Sequence, residues 1–222
     1  MKVILSAFFL VCLCTSLNAA DTGLTASSLK LKVYKLAVST SPLCTNLVTV
    51  LDNGSTPTEV DFLALPDLGS GTVADGTYPC VVIEFTDIIK FTPSTNSTSG
   101  NCLTTVEETL DICRTDSSGS SKLIDGTTTT CGVQGTADRV AVYLSTGAAG
   151  DNEDAFNPPT SVGDTQRGIN LTSALVVSGT TSGKFVVNPA GKVCDTNAAG
   201  CAGAGGGTDC EMDAPVFGFS KL

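Results

Sequence analysis

Apolar positions in this chain come in short runs, and Gly, Pro, Asn-Gly, Asp-Gly and Ser/Thr clusters interrupt them about every ten residues. That spacing predicts short strands in a sandwich or barrel. Candidate strands are Leu29–Ser39, Leu47–Leu51, Val60–Leu63, Tyr78–Phe85, Ile88–Phe91, Thr109–Cys113, Arg139–Ser145, Ile169–Val177, Lys184–Val187 and Val216–Phe219. Leu29-Lys30-Leu31-Lys32-Val33 alternates cleanly, as a half-exposed strand does. Val81-Val82-Ile83 is apolar throughout and predicts a strand covered on both faces. Thr105 and Glu108 have the spacing of a helix capping box, but the alternation through Leu110 and Ile112 favours a strand. Four loops separate the strands: Pro93–Asn101, Arg114–Thr130, Gly147–Gly168 and Asp195–Asp209.

The first residues follow a different pattern. Lys2 precedes the apolar run Val3–Leu13, and the small pair Ala19-Ala20 follows. This is the order of a secretory signal peptide spanning residues 1–20. The run is well short of the roughly 20 residues of a membrane-spanning helix. Val11 and Leu13 stand before Cys12 and Cys14, where lipidation wants a small residue. No later run is long enough to cross a membrane as a helix, so no transmembrane segment is expected. Residues 21–222 are then expected to form a single secreted domain with long loops.

Charge is sparse and acidic, with a net of −10. The fraction of charged residues is 15%, and 31 Thr and 21 Ser supply polarity instead. Nothing is present to neutralise phosphates, so nucleic acid is not an expected partner. An anionic membrane surface is disfavoured for the same reason.

Behind the signal stand eight cysteines: Cys44, Cys80, Cys102, Cys113, Cys131, Cys194, Cys201 and Cys210. An even number in an exported chain predicts disulfides. Proximity pairs Cys44 with Cys80 and leaves two groups of three, so at least one bridge must cross between groups if all are paired. A zinc–thiolate site is opposed by the wide spacings and by the absence of histidine.

The lack of histidine also removes Ser–His–Asp and Cys–His catalysis and histidine-ligated metals. No phosphate loop or dinucleotide fingerprint occurs. Carboxylate chemistry remains. A glycosidase would draw on two of Glu84, Asp87, Glu107, Glu108, Asp151, Glu153 and Asp154. Asp151-Asn152-Glu153-Asp154 gathers hard oxygen donors in one loop, which makes Asp151 and Asp154 candidate calcium ligands. No other cofactor is expected. Asn53-Gly54-Ser55, Asn96-Ser97-Thr98 and Asn170-Leu171-Thr172 match the N-glycosylation acceptor pattern.

Val73-Ala74-Asp75-Gly76-Thr77-Tyr78, followed by Val81, Val82 and Glu84, resembles the strand entry of transthyretin-like surface domains. The resemblance covers about a dozen of the 222 residues. It implies a β-sandwich stalk, adhesin or carbohydrate-associated module, with Asp75-Gly76 as a tight turn and the Tyr78 hydroxyl outward. No site residue is carried over from it. The combined expectation is an all-β, disulfide-stapled antiparallel β-sandwich, extracellular or at the cell surface, and not an enzyme. Its role would be structural or adhesive, with protein partners and self-association through an arm at Asp21–Leu29. A calcium- or carbohydrate-binding module is the alternative, and a carboxylate-based glycosidase the second.

Overall fold

A computed structural model describes residues 21–64, 72–114, 119–150, 154–179, 183–195 and 210–221. The expected signal peptide, Asp151, Glu153 and Cys201 lie outside the described residues. The fold is all-β. Its strands are β1 (Ala26–Ser39), β2 (Val48–Asp52), β3 (Glu59–Asp61), β4 (Gly76–Tyr78), β5 (Cys80–Thr86), β6 (Ile88–Pro93), β7 (Glu108–Asp111) and β8 (Ser120–Lys122). They continue as β9 (Thr128–Thr130), β10 (Arg139–Ser145), β11 (Ile169–Asn170), β12 (Leu175–Val177), β13 (Gly183–Asn188), β14 (Val193–Asp195), β15 (Cys210–Met212) and β16 (Val216–Lys221).

The long strand β1 organises the rest. Its first half pairs with β3 on one edge and β6 on the other, and β6 continues to β7. Its second half pairs with β2 and β5, and β5 continues to β10 and then β11. All of these pairs are antiparallel except β10 with β11. A register shift between Val33 and Lys35 opposes Phe85 and Glu84, leaving Tyr34 as the extra residue of a β-bulge. The bulge changes which side chains face inward. Before it, Leu29, Leu31 and Val33 are buried, while Lys30 and Lys32 are not. After it, Leu36 and Val38 stand opposite Ile83 and Val81 and pack into the same core. Side chains alternate with period two, so only an inserted residue lets odd positions and then even positions face one core.

The bulge is held from outside. Asn53 donates its backbone N–H to Tyr34 O at 2.8 Å and its Nδ2 to Val33 O at 3.1 Å. The Arg139 guanidinium lies over the Tyr34 ring, 4.6 Å from its centroid.

Every residue of β5 is buried. Val81, Ile83 and Phe85 join the main core, together with Phe91, Leu110, Val140, Val142 and Leu144. On the opposite face, Cys80 and Val82 pack with Cys44, Ala141 and Tyr143 under Leu47, Leu123 and Ile124. The expectation of a strand covered on both faces is met. Half of that cover comes from the β8–β9 hairpin, inside the segment 114–130 read as a loop. Asp125-Gly126 makes its turn, with Gly126 at φ 86° and Asp125 Oδ1 accepting from Thr127 N at 2.9 Å. Ser121 Oγ accepts from Ala141 N at 2.8 Å, and Tyr143 Oη donates to Lys122 O at 2.8 Å, tying the hairpin to β10.

Two expected strands are each divided. Tyr78–Phe85 breaks at Pro79, where β4 pairs with β12 and β5 with β1 and β10. Proline has no N–H for a ladder, so the chain changes sheets there. Ile169–Val177 likewise splits into β11 beside β10 and β12 beside β4. Gly76 has no positive φ and begins β4 rather than closing a turn. Tyr78 is buried, and its hydroxyl turns back to donate to Ala74 O at 2.7 Å.

Cys44–Cys80 and Cys113–Cys131 are bonded, and Cys102–Cys210 is the bridge that crosses groups. Cys194 is also disulfide-bonded. Cys102–Cys210 closes 108 residues of chain, a loop for which cross-linking contributes on the order of 4–5 kcal/mol by restricting the unfolded ensemble. The expected free arm is tied down. Asp195 N donates to Asp21 O at 2.7 Å, Leu24 and Val193 exchange backbone bonds at 2.8 and 2.9 Å, and Ser94 N donates to Thr25 O at 2.7 Å. Among the described residues no helix is long and apolar enough to cross a membrane.

Deleting Tyr34 would leave Leu36 and Val38 on the core face but remove the bulge itself, with the bend it gives β1 and the carbonyl that Asn53 N–H caps. We predict that this deletion lowers the thermal unfolding midpoint, by roughly 1–3 kcal/mol of stability, whereas Tyr34→Phe keeps the bulge and unfolds close to the parent chain. A deletion variant with a native-like transition would refute the role assigned to the bulge.

Candidate functional site

The expected site lay in the segment 147–168. Asp154 is its one candidate ligand among the described residues, and both of its carboxylate oxygens already have protein partners. Oδ1 accepts from Asn157 Nδ2 at 2.7 Å, and Oδ2 is 3.3 Å from Arg167 Nε. No group of three or more His, Cys, Asp or Glu side chains among the described residues is arranged to hold a metal. The organising residue is instead Asp164, which sequence reasoning passed over. Its Oδ2 accepts from Thr160 N and Thr160 Oγ1 at 2.8 and 2.9 Å; its Oδ1 accepts from Gln166 N and Arg167 N at 2.8 and 3.1 Å. These donors, led by the Thr160 N–H, hold its carboxyl down at about 2.

The remaining candidate acids separate. Glu107 lies 2.5 Å from Lys30 and 3.9 Å from Lys90, on the outer face of the sheet, where Lys90 also meets Glu59 at 2.9 Å. Its hydrogen bond with Lys30 lowers the Glu107 carboxyl and raises the Lys30 ammonium. Glu108 stands in β7. Glu84 is buried in β5, where it receives Arg139 Nε and the Ile124 N–H, the latter at 3.4 Å. That pairing compensates a buried charge and also fixes the arginine that stacks on the bulge.

Asp87 is brought together with two acids that were not predicted. It is the single residue between β5 and β6, where the paired strand passes the bend in β1. Its N–H donates to Asp138 O at 3.1 Å, and its carbonyl accepts from Ile112 N at 3.2 Å. Its Oδ1 accepts from Asp138 N at 2.7 Å. Asp138 Oδ2 in turn accepts from Gly132 N at 2.5 Å, and Asp111 Oδ2 accepts from Gly135 N at 2.6 Å. The loop 131–138 is thus laced to the bend by carboxylates and anchored by Cys113–Cys131. Gly132 fits because it lacks a side chain: a Cβ there would come within 2.8 Å of Thr136 Cβ and 2.9 Å of Asp138 Oδ2.

Asp87 is 0% exposed and Asp111 7%. Asp87 Oδ2 and Asp111 Oδ1 are buried without a hydrogen-bond partner among the described residues. Burial raises the Asp87 carboxyl from 3.8 to about 7, reinforced by the charges of Asp111 and Asp138 and opposed by the Asp138 N–H. Burial likewise raises Asp111, while Arg114 and two backbone N–H groups pull it down. A carboxyl that keeps its proton near neutrality is what general acid catalysis uses. Here that group is buried inside the fold, and it and the neighbouring carboxylates accept from loop backbone N–H groups. The one visible signal in the sequence was Asp87 itself, a lone acid between two apolar strands.

Asp195 makes a third such anchor. It is fully buried and accepts from Ser97 Oγ at 2.6 Å, Asn101 N at 3.1 Å and Asn101 Nδ2 at 2.9 Å. Compared with protein-family models, with curated proteins and with solved structures, the chain matches none.

Two outcomes test these assignments. Folded Asp87 binds its proton more tightly than unfolded Asp87, so stability is expected to fall as pH rises from about 4 to about 7. This site contributes a slope of up to about 1.4 kcal/mol per pH unit in that window. Asp87→Asn keeps the Oδ1 acceptor and should flatten the slope in urea unfolding; an unchanged slope would show that Asp87 titrates normally. Asp164 has the opposite sign, and its stabilisation is lost as pH falls from 3.8 towards 2. Asp164→Ala should raise amide exchange of Thr160, Gln166 and Arg167 by about tenfold or more. Unaltered protection at those three amides would remove Asp164 as the organiser of the loop.

Proposed function

We propose that the protein is a non-catalytic extracellular or cell-surface structural or adhesion domain, exported by residues 1–20 and able to self-associate. The observation that carries this reading is where the chain spends its buried acids and cysteines. Asp87, Asp111 and Asp195 hold loop backbone or neighbouring side chains, and disulfides tie those same loops to strands. Buried carboxylates used in this way brace a scaffold against local opening. Disulfides suit a compartment in which they persist. The histidine-free composition supports the same reading, because the commonest acid–base residue is missing.

In this reading the two sheets that share β1 face each other as a sandwich, as in the transthyretin-like surface domains that 73–84 resembles. The support is that residues of both sheets, such as Phe91 and Leu110 from one and Val81 and Val142 from the other, belong to one core cluster. Self-association uses an edge strand rather than the N-terminal arm. Strand β2 pairs only with β1 among the described residues, and its Val48 is 51% exposed.

The test is light scattering and negative-stain microscopy of the secreted, oxidised chain. Oligomers or filaments are expected, and Val48→Lys should shift them towards monomer. Monodisperse monomer across the accessible concentration range would sink the self-associating form of the proposal.

A further inference from the structure

We propose that Asn96 is the acceptor of an N-linked oligosaccharide, and that Asn53 and Asn170 are not. This inference rests on the export reading above. The three tripeptides are equivalent as sequence, since each has Asn, a non-proline residue and then Ser or Thr. They are not equivalent in their surroundings.

Asn53 is committed to the β1 bulge, where its Nδ2 donates to Val33 O at 3.1 Å and its N–H to Tyr34 O at 2.8 Å. Asn170 is half-buried in β11, where its Nδ2 donates to Ala148 O at 2.7 Å and its N–H to Gly150 O at 2.9 Å. In both, the nitrogen that would carry the sugar supports a backbone carbonyl of the fold.

Asn96 differs from both in which amide atom the fold uses, and from Asn170 in exposure. It is exposed, with Ser94 and Thr95 before it and Thr98, Ser99 and Gly100 after it also exposed. Its oxygen, not its nitrogen, is used by the fold: Oδ1 accepts from Thr104 N at 2.8 Å. That bond fixes the carboxamide plane without occupying Nδ2. The middle residue, Ser97, points inward and donates to Asp195 Oδ2 at 2.6 Å. Cys102 N donates to Ser97 Oγ at 3.0 Å, beside the Cys102–Cys210 bridge. The loop is therefore pinned at Ser97 and Cys102 and holds Asn96 outward. In the transfer, the Asn96 amide nitrogen bonds to the anomeric carbon of a lipid-pyrophosphate-linked oligosaccharide. The bond from that carbon to the pyrophosphate oxygen breaks, the lipid pyrophosphate leaves, and the nitrogen gives up one proton. The product keeps Oδ1 for Thr104 and replaces one amide hydrogen.

The test is expression of the full chain, with residues 1–20, in cultured mammalian cells. The medium is treated with peptide-N-glycosidase in heavy-oxygen water, and peptides are mapped by mass spectrometry. Heavy label at position 96 and none at 53 or 170 is expected. Asn96→Gln and Thr98→Ala should each abolish the mobility shift produced by the glycosidase, while Thr98→Ser retains it. Chain in the medium without label at 96, or with label at 53 or 170, overturns the assignment and leaves the export reading standing. Chain retained in the cytosol overturns the export reading and this assignment with it.

Discussion

The architecture depends on one inserted residue. Tyr34 lets a single 14-residue strand serve two sheets while keeping its apolar face on one core. If the ladder ran through Tyr34 without a bulge, the alternation that buries Leu29, Leu31 and Val33 would put Lys35 inside and Leu36 outside. An unpaired residue in a ladder exposes backbone groups that need partners. Asn53 supplies them for the carbonyls of Val33 and Tyr34, and Arg139 covers the ring. Glu84 belongs to the same assembly, since it fixes Arg139 from beneath. What looks in the sequence like a candidate catalytic acid is thus part of the support for a backbone irregularity.

The partner strand meets the same bend by a different device. Strands β5 and β6 run along β1 in one direction, and Asp87 is the joint between them. A joint between two sheets leaves ladder groups unmatched on its outer side. Asp87 and Asp138 satisfy them reciprocally: N–H to carbonyl one way, N–H to carboxylate the other. The cost is a carboxyl buried with one oxygen unbonded, and burial offsets that cost by favouring the protonated form. Disulfides act where polar lacing is densest. Cys113–Cys131 closes the loop over Asp111 and Asp138, and Cys102–Cys210 stands beside Ser97 and Asp195.

Patterns of period two were legible in the sequence wherever one strand lay in one sheet. Strands β1, β5, β6, β7 and β10 were anticipated within a few residues, because their side chains alternate or are apolar throughout. Failures fell where pairing, not pattern, decides. The polar run Ser120–Thr130 is a hairpin because it covers Val82, Ala141 and Tyr143, and its own residues carry no apolar alternation. Only Asp125-Gly126 marked the turn. Strands β14 and β15 are short and joined across more than a dozen residues of Gly/Ala-rich sequence, so nothing local announces them. The bridge crossing the two cysteine groups followed from odd counts, but its members did not, because 105 pairings are compatible with eight cysteines. The acids were the least legible. Asp111, Asp138 and Asp195 act through contacts distant in sequence, and a buried anchor reads the same as a solvated surface acid.

A chain without histidine has no side chain whose ordinary range lies between about pH 5 and 8. Here a buried aspartate enters that range, and it does so at the joint between two sheets rather than in an accessible cleft. The location decides what its proton can do. An acid facing a cleft could pass the proton to a bound molecule. Asp87 faces Asp111, Asp138 and loop backbone, so losing its proton places a second negative charge beside acids already committed to N–H donors. Deprotonation there is opposed by burial and by the charges of Asp111 and Asp138, and favoured by the Asp138 N–H. Proton affinity in this fold is tied to the joining of its sheets.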